Sequence, residues 1–257
     1  MDRWIGFAVR YVYALVASLY VFLGGFLVPR NRLLLFAICS HFGYRQRSRI
    51  PQVDVATVLD RSAPVDLREA VAVEGNVTLL ELLIIDQLIR LRRPKALFEI
   101  GTFDGRTTLN MAANCPEDGQ VYTLDLPADS SHTTAFPLDT GDQRFIKKTS
   151  SGARYVGTPF APRIHQLYGD SASFNFEPYR SAIDLLFVDG AHSYDYVLND
   201  SRRAHELLRD GRGLILWHDY LTWEGVTKAL NELYLTNEAF RGLRHVRGTS
   251  LVYLERT

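Results

Sequence analysis

The sequence predicts an α/β chain: a doubly wound, mostly parallel seven-stranded sheet with helices on both faces, preceded by an apolar N-terminal helical segment. Three observations carry this. From Lys95 onward, short Val/Ile/Leu-rich runs alternate with mixed helical segments, the pattern of a sheet covered on both sides. Several of those runs end in glycine or an acid, which is how apolar strands leave a core. The chain has 257 residues, 47% hydrophobic, with only 10 prolines, so it has enough length for a substantial core but rarely for two full domains.

Residues 1–50 hold Arg3, Arg10, Arg30, Arg32, Arg45, Arg47 and Arg49 against the single acid Asp2, a net charge of +6. The whole chain is neutral, with 29 basic and 29 acidic residues, so residues 51–257 carry −6. Between Arg10 and Arg30 lie 19 uncharged residues, 11–29, which at about 1.5 Å per residue nearly cross a hydrocarbon core of roughly 30 Å. This segment reads first as a membrane anchor. An interfacial helix continuing into 33–42 and a soluble packing helix bent at Gly24-Gly25 are the other two readings. The segment ends in Pro-Arg-Asn-Arg without a small-x-small pattern, unlike a cleaved signal peptide. The heavier arginine load follows it, which would leave the remainder on the cytoplasmic side.

A polar connector with Pro51 and Pro64 leads to the domain expected over 76–257. Its first element is a helix over 77–91, started near Asn76 and stopped before Pro94. Strands follow at 96–101, 121–126, 165–170, 183–190 and 213–220, with helices near 106–114, 194–208 and 224–235. Residues 243–248 and 249–257 give two final strands, one of them an antiparallel addition. The segment 127–164 breaks this rhythm. It is rich in Ser, Thr, Gly and Pro, with a basic cluster at Arg144, Lys147 and Lys148, and reads as a lid over a ligand crevice.

Composition narrows the function. Zero net charge and no recognisable module argue against nucleic acid as a partner. The two cysteines, Cys39 and Cys115, form neither a CxxC pair nor a disulfide framework. In EIGTFDGRTT, Glu99, Gly101, Thr102 and Gly105 surround a strand-to-helix turn where a ligand can approach closely. The motif is neither G-x-G-x-x-G nor a phosphate loop, which favours a small adenosine ligand over a nicotinamide dinucleotide. Asp125 closes the next strand 20 residues after Gly105, where an acid commonly binds ribose hydroxyls. Asp170, followed by Ser171, ends the third strand and can face an adenine amine or a backbone donor. Asp189 and the pair His218-Asp219 end the next two, a set able to hold a divalent ion. His192 can take a proton from a substrate hydroxyl near neutral pH.

These residues resemble the class I S-adenosylmethionine-dependent methyltransferases, specifically the bacterial group related to catechol-type and macrolide-sugar O-methyltransferases. The resemblance covers about 76–256 through EIGTFDGRTT, YTLDLP, YGDS, IDLLFVDGAHSYDYV, LLRDGRGLILWHDY and GTSLVYLE. It implies S-adenosyl-L-methionine as cofactor: Glu99, Gly101, Thr102 and Gly105 on its methionine and ribose side, Asp125 at the ribose, Asp170 and Ser171 near adenine. It also implies Asp189, His218 and Asp219 as ligands for Mg²⁺ or another divalent cation, with Asp189 and His192 as catalytic residues. His218-Asp219 departs from the Asp-Asn of the catechol-type enzymes, and His192 stands where they carry a lysine. The expected reaction is methyl transfer to a hydroxyl oxygen of a small-molecule, lipid or sugar acceptor. Alternatives are N- or C-methylation, or a membrane-tethered, non-catalytic binding protein on the same fold. The expected location is the membrane, with the domain in the cytoplasm. A soluble cytoplasmic protein is the alternative.

Overall fold

A computed structural model describes residues 2–28, 31, 34, 35, 38, 39, 46–59, 63–130 and 132–257. The chain divides into two compact units, Met1–Arg45 and Gln46–Thr257. In the first, helix α1 (Asp2–Leu23) is followed by a short 3-10 turn at Gly25–Leu27. Its window Gly6–Leu23 has a mean hydropathy of 1.6 and is long and apolar enough to cross a membrane, with only 6% of it buried. The continuation into 33–42 and residues Arg30, Arg32 and Arg45 fall largely outside the described residues.

The second unit is one sheet with helices on both faces. Its strands are β1 (Gln52–Val53), β2 (Ala96–Ile100), β3 (Gln120–Asp125), β4 (Ile164–Tyr168), β5 (Leu185–Val188), β6 (Gly213–Trp217), β7 (Arg244–Val246) and β8 (Val252–Arg256). They lie in the order β1-β7-β8-β6-β5-β2-β3-β4. All neighbours are parallel except β8, which runs antiparallel to both β6 and β7. The seven expected strands are present. The eighth, β1, comes from the connector: the Pro51 carbonyl accepts from His245 N, and Arg247 N donates to the Val53 carbonyl. Two residues beside a proline carry too short a pattern to register as a strand. The start of this unit also takes in residues grouped with the apolar segment by charge alone. Ile50 is buried in the core, and Arg49 N donates to Asn231 Oδ1 at 2.9 Å.

The helices are α2 (Val55–Val58), α3 (Leu79–Arg92), α4 (Arg106–Asn114), α5 (Gln143–Ile146), α6 (Tyr194–Leu207) and α7 (Glu224–Thr236). Thr78 starts α3 through a reciprocal capping box with Glu81, and left-handed Arg93 (φ 51°) ends it just before Pro94. The strands alternate their apolar side chains between two cores. Phe98, Leu186, Val188, Ile215 and Trp217 share one with α6 and α7. Leu97, Leu185, Phe187, Leu214 and Leu216 share the other with α3 and α4. Each fully buried side chain of this size contributes about 1.5–3 kcal/mol relative to exposure, so the central strands are the rigid base from which the strand ends project.

Candidate functional site

The carboxyl ends of β2, β3, β5 and β6 and the turn after β4 open into one cavity of about 280 Å³. Gly101 makes the convergence of β2 and β5 possible. Its φ is +102°, and a Cβ there would lie 2.0 Å from the Asp189 carbonyl oxygen, so only glycine fits. The wall opposite the sheet comes from two irregular segments. Residues Glu74–Asn76 are set by buried Arg106, whose guanidinium donates to the carbonyls of Glu69, Ala70 and Val77. The insertion supplies Leu138, Asp142, Arg144, Phe145 and Lys148.

Of the residues singled out by sequence, Gly101, Asp125, Asp170, Ser171, Asp189, His192, His218 and Asp219 all line this cavity. Glu99, Thr102 and Gly105 do not. Glu99 lies behind the wall, accepting from the Thr108 and Thr123 hydroxyls at one oxygen, while the other oxygen has no partner. Burial, against those two donors, pushes its carboxyl up to about 8. Thr102 shares a 2.7 Å hydroxyl contact with Thr123. Gly105 is the left-handed cap of α4 (φ 84°), packed on Gly152 and Tyr155.

At the β3 end, Asp125 Oδ2 is held from the insertion, by Lys148 Nζ at 2.9 Å and by the Ser151 hydroxyl. At the β4 end, Asp170 accepts from Tyr196 Oη at 2.7 Å, Ala135 N at 2.7 Å and Ala172 N at 3.0 Å. Both acids therefore meet donors from outside their own strands.

The other half of the cavity is a chain of alternating acids and imidazoles. His192 donates from Nδ1 to Asp142 and from Nε2 to Asp219 Oδ2 at 2.8 Å, its ring stacked on Trp223 with centroids 4.1 Å apart. Burial alone would lower its pKa, but Asp142 and Asp219 outweigh that and raise it to about 10. His218 Nδ1 lies 3.0 Å from Asp189 Oδ1 and 3.3 Å from Asp219 Oδ2, and its Nε2 lies 3.4 Å from Glu81 Oε2. Again burial opposes and the facing carboxylates prevail, holding its pKa well above 6.5. Asp219, despite its burial, is held well below the usual carboxylate range by the two imidazoles. One ligand atom each from Asp189, His218 and Asp219 fall within 4.8 Å of one another, a set able to take a cation.

Four contributors were not legible as site residues. Glu81 lies in the first turn of the helix expected from Asn76 and capped in the structure by Thr78, a position that gives no hint that its carboxylate also reaches His218. Asp142, Trp223 and Lys148 sit on irregular segments and meet their partners only through the fold. Lys148 alone had a signal, as part of the basic cluster.

A family profile described as a methyltransferase domain matches residues 98–220. Caffeoyl-CoA O-methyltransferase 2 of Petunia hybrida is 27% identical over 143 residues, 55% of this chain and 52% of that protein. Caffeoyl-CoA O-methyltransferase 1 of Eucalyptus globulus is 28% identical over 55% of this chain and 50% of its own length. The chain thus spans about half the length of the curated relatives it matches. Among solved structures, the O-methyltransferase TomG of Streptomyces achromogenes, in complex with SAM, superposes with a TM-score of 0.50 at 18% identity, covering 72% of this chain and 83% of that one. The SAH-bound methyltransferase PaMTH1 of Podospora anserina gives 0.51 at 16%, covering 72% and 81%. The chain shares the methyltransferase fold of these structures and is similar to the caffeoyl-CoA O-methyltransferases over 55% of its length.

Proposed function

We propose that this protein transfers the methyl group of S-adenosylmethionine to a hydroxyl oxygen of a small-molecule acceptor. The observation that carries the reading is the gathering of Asp125, Asp170, Asp189 and Asp219 from four strand ends into one cavity, within or close to the span that matches a methyltransferase domain. The fold places a ligand crevice at that edge of the sheet. The sulfonium methyl is already activated, so the chain has to bind, align and exclude water.

Asp125 would hold the ribose hydroxyls, exchanging the Lys148 and Ser151 contacts for them. Asp170 and Ser171 would border the adenine. Phe103, Phe145 and Trp223 are aromatic members of the lining and would keep water from the acceptor. Asp189, His218 and Asp219 fit a divalent cation by donor type and spacing, and when bound such an ion would supply Lewis acidity toward the acceptor oxygen. His192 holds a proton on each ring nitrogen, its pKa raised to about 10 by Asp142 and Asp219, so it could take the acceptor's hydroxyl proton at Nε2 only after giving up the proton that it donates to Asp219. The bacterial subgroup and the sugar or lipid nature of the acceptor belong to this proposal. So does membrane attachment through α1, which rests on the length and apolarity of Gly6–Leu23 alone.

Isothermal titration of the full chain with S-adenosylmethionine tests the cofactor. Wild type is expected to bind, and Asp125→Ala to bind at least about tenfold more weakly, the order expected for losing one charge-assisted hydrogen-bond acceptor. No binding by wild type, or equal binding by the variant, would reject the assignment. Mass spectrometry of a labelled acceptor then distinguishes oxygen from nitrogen or carbon as the methylated atom.

A further inference from the structure

We propose that Glu81 is the positioning residue of the cation site, and that the site selects a borderline transition ion such as Co²⁺ or Zn²⁺ over Mg²⁺. This rests on the cation part of the function proposed above and is independent of methyl transfer.

A capping glutamate needs only its own helix end, and it is normally solvated. Glu81 is 2% exposed and is fixed by two residues, Thr78 and Ser250. Its Oε2 accepts from Thr78 N and Thr78 Oγ1, both at 2.8 Å. Its Oε1 accepts from Ser250 N at 2.6 Å and Ser250 Oγ at 2.8 Å, between the two last strands. A carboxylate anchored this firmly then meets His218 Nε2 at 3.4 Å.

The consequence falls on the opposite edge of the ring. With Nε2–H directed at Glu81, Nδ1 is the atom presented to Asp189 Oδ1 and Asp219 Oδ2. A ligating imidazole whose other N–H is held by a carboxylate is the arrangement that orients metal-binding histidines and raises their basicity. Asp219 is tied into the same support, since its backbone N donates to Ser250 Oγ at 3.3 Å. One imidazole nitrogen beside two carboxylate oxygens suits borderline transition ions, whereas Mg²⁺ prefers an all-oxygen shell and keeps its waters.

The test uses the full chain, stripped with chelator and titrated with Co²⁺ by visible absorption, with Mg²⁺ as competitor and no cofactor or acceptor present. Wild type is expected to bind Co²⁺ at least tenfold more tightly than Mg²⁺. Glu81→Gln should weaken Co²⁺ by about 10–100-fold, the range for losing an outer carboxylate. Its thermal midpoint should fall, because glutamine keeps one accepting oxygen for the capping box but turns its NH2 toward the donors that the second oxygen served. His218→Asn should erase the preference for Co²⁺. If Glu81→Gln proves unstable, Ser250→Ala, which loosens both Glu81 and the Asp219 backbone without touching the cap, should give a several-fold loss. Equal affinity for the two ions in wild type, or unchanged Co²⁺ affinity in the folded Glu81 and Ser250 variants, would overturn the proposal. Titration of the same samples with S-adenosylmethionine reports separately on the methyltransferase reading.

Discussion

Glu99 is the fourth residue of β2, and its carboxylate is fully enclosed beside Thr108 and Thr123 with one oxygen unpaired. Its pKa is about 8, raised by burial. A carboxyl whose pKa is higher in the fold than in the unfolded chain keeps its proton where the unfolded chain loses it. Stability from this group is therefore greatest below the ordinary value of 4.5 and drains away as pH rises to about 8. Urea unfolding of the wild type is expected to show a midpoint that falls between pH 5.5 and 8.5, and Glu99→Gln should flatten that slope. Equal slopes in the two proteins would contradict a buried, protonated Glu99. At this scale the sequence is a fair guide to position and a poor one to contact. Asp125, Asp170, Asp189, His218 and Asp219 were legible because polar residues end apolar strands. Glu81, Asp142 and Trp223 were not, because their site contacts join residues 50 to 137 positions apart or depend on ring stacking set by the fold.

The insertion between β3 and β4 puts opposite charges into both halves of the cavity. Lys148 faces Asp125, while Asp142 faces His192. A lid reading of 127–164 makes the Lys148 contact a competitor for Asp125. Lys148→Met is then expected to bind S-adenosylmethionine about three- to tenfold more tightly in calorimetry, since the side-chain volume is nearly kept and the carboxylate is freed. Weaker binding would instead make Lys148 a direct cofactor contact. Two helices were legible almost to the residue, since Arg106–Asn114 and Tyr194–Leu207 begin where glycine or serine punctuates the chain, while the strands expected over 183–190, 213–220 and 249–257 start or end two or three residues inside those bounds. The interior of the insertion was not, because its helical turns, such as Gln143–Ile146, are too short for any periodic signal.

The two units, Met1–Arg45 and Gln46–Thr257, make separate demands on solvent. A chain starting at Gln46 keeps Ile50, the Arg49–Asn231 contact and β1, whereas one starting at residue 51 would lose the first two. The Gln46 chain is expected to unfold at the same temperature as the corresponding transition of the full chain and to leave the membrane fraction of lysed cells, where the full chain should sediment. Membrane retention of the short chain would overturn α1 as the anchor. The arginine run of the first 50 residues extends, through Arg47 and Arg49, a few residues into the second unit.

The short pairing of Gln52–Val53 with His245–Val246 also decides where the sheet can grow. By zipping onto β7 it occupies one margin of the ladder with backbone that would otherwise invite a foreign strand. The opposite margin, β4, is half exposed, with Tyr168 facing out. Strand-by-strand association between copies is thereby steered toward β4. A chain clipped after Val53 would gain a second sticky margin and with it a route to open-ended polymers.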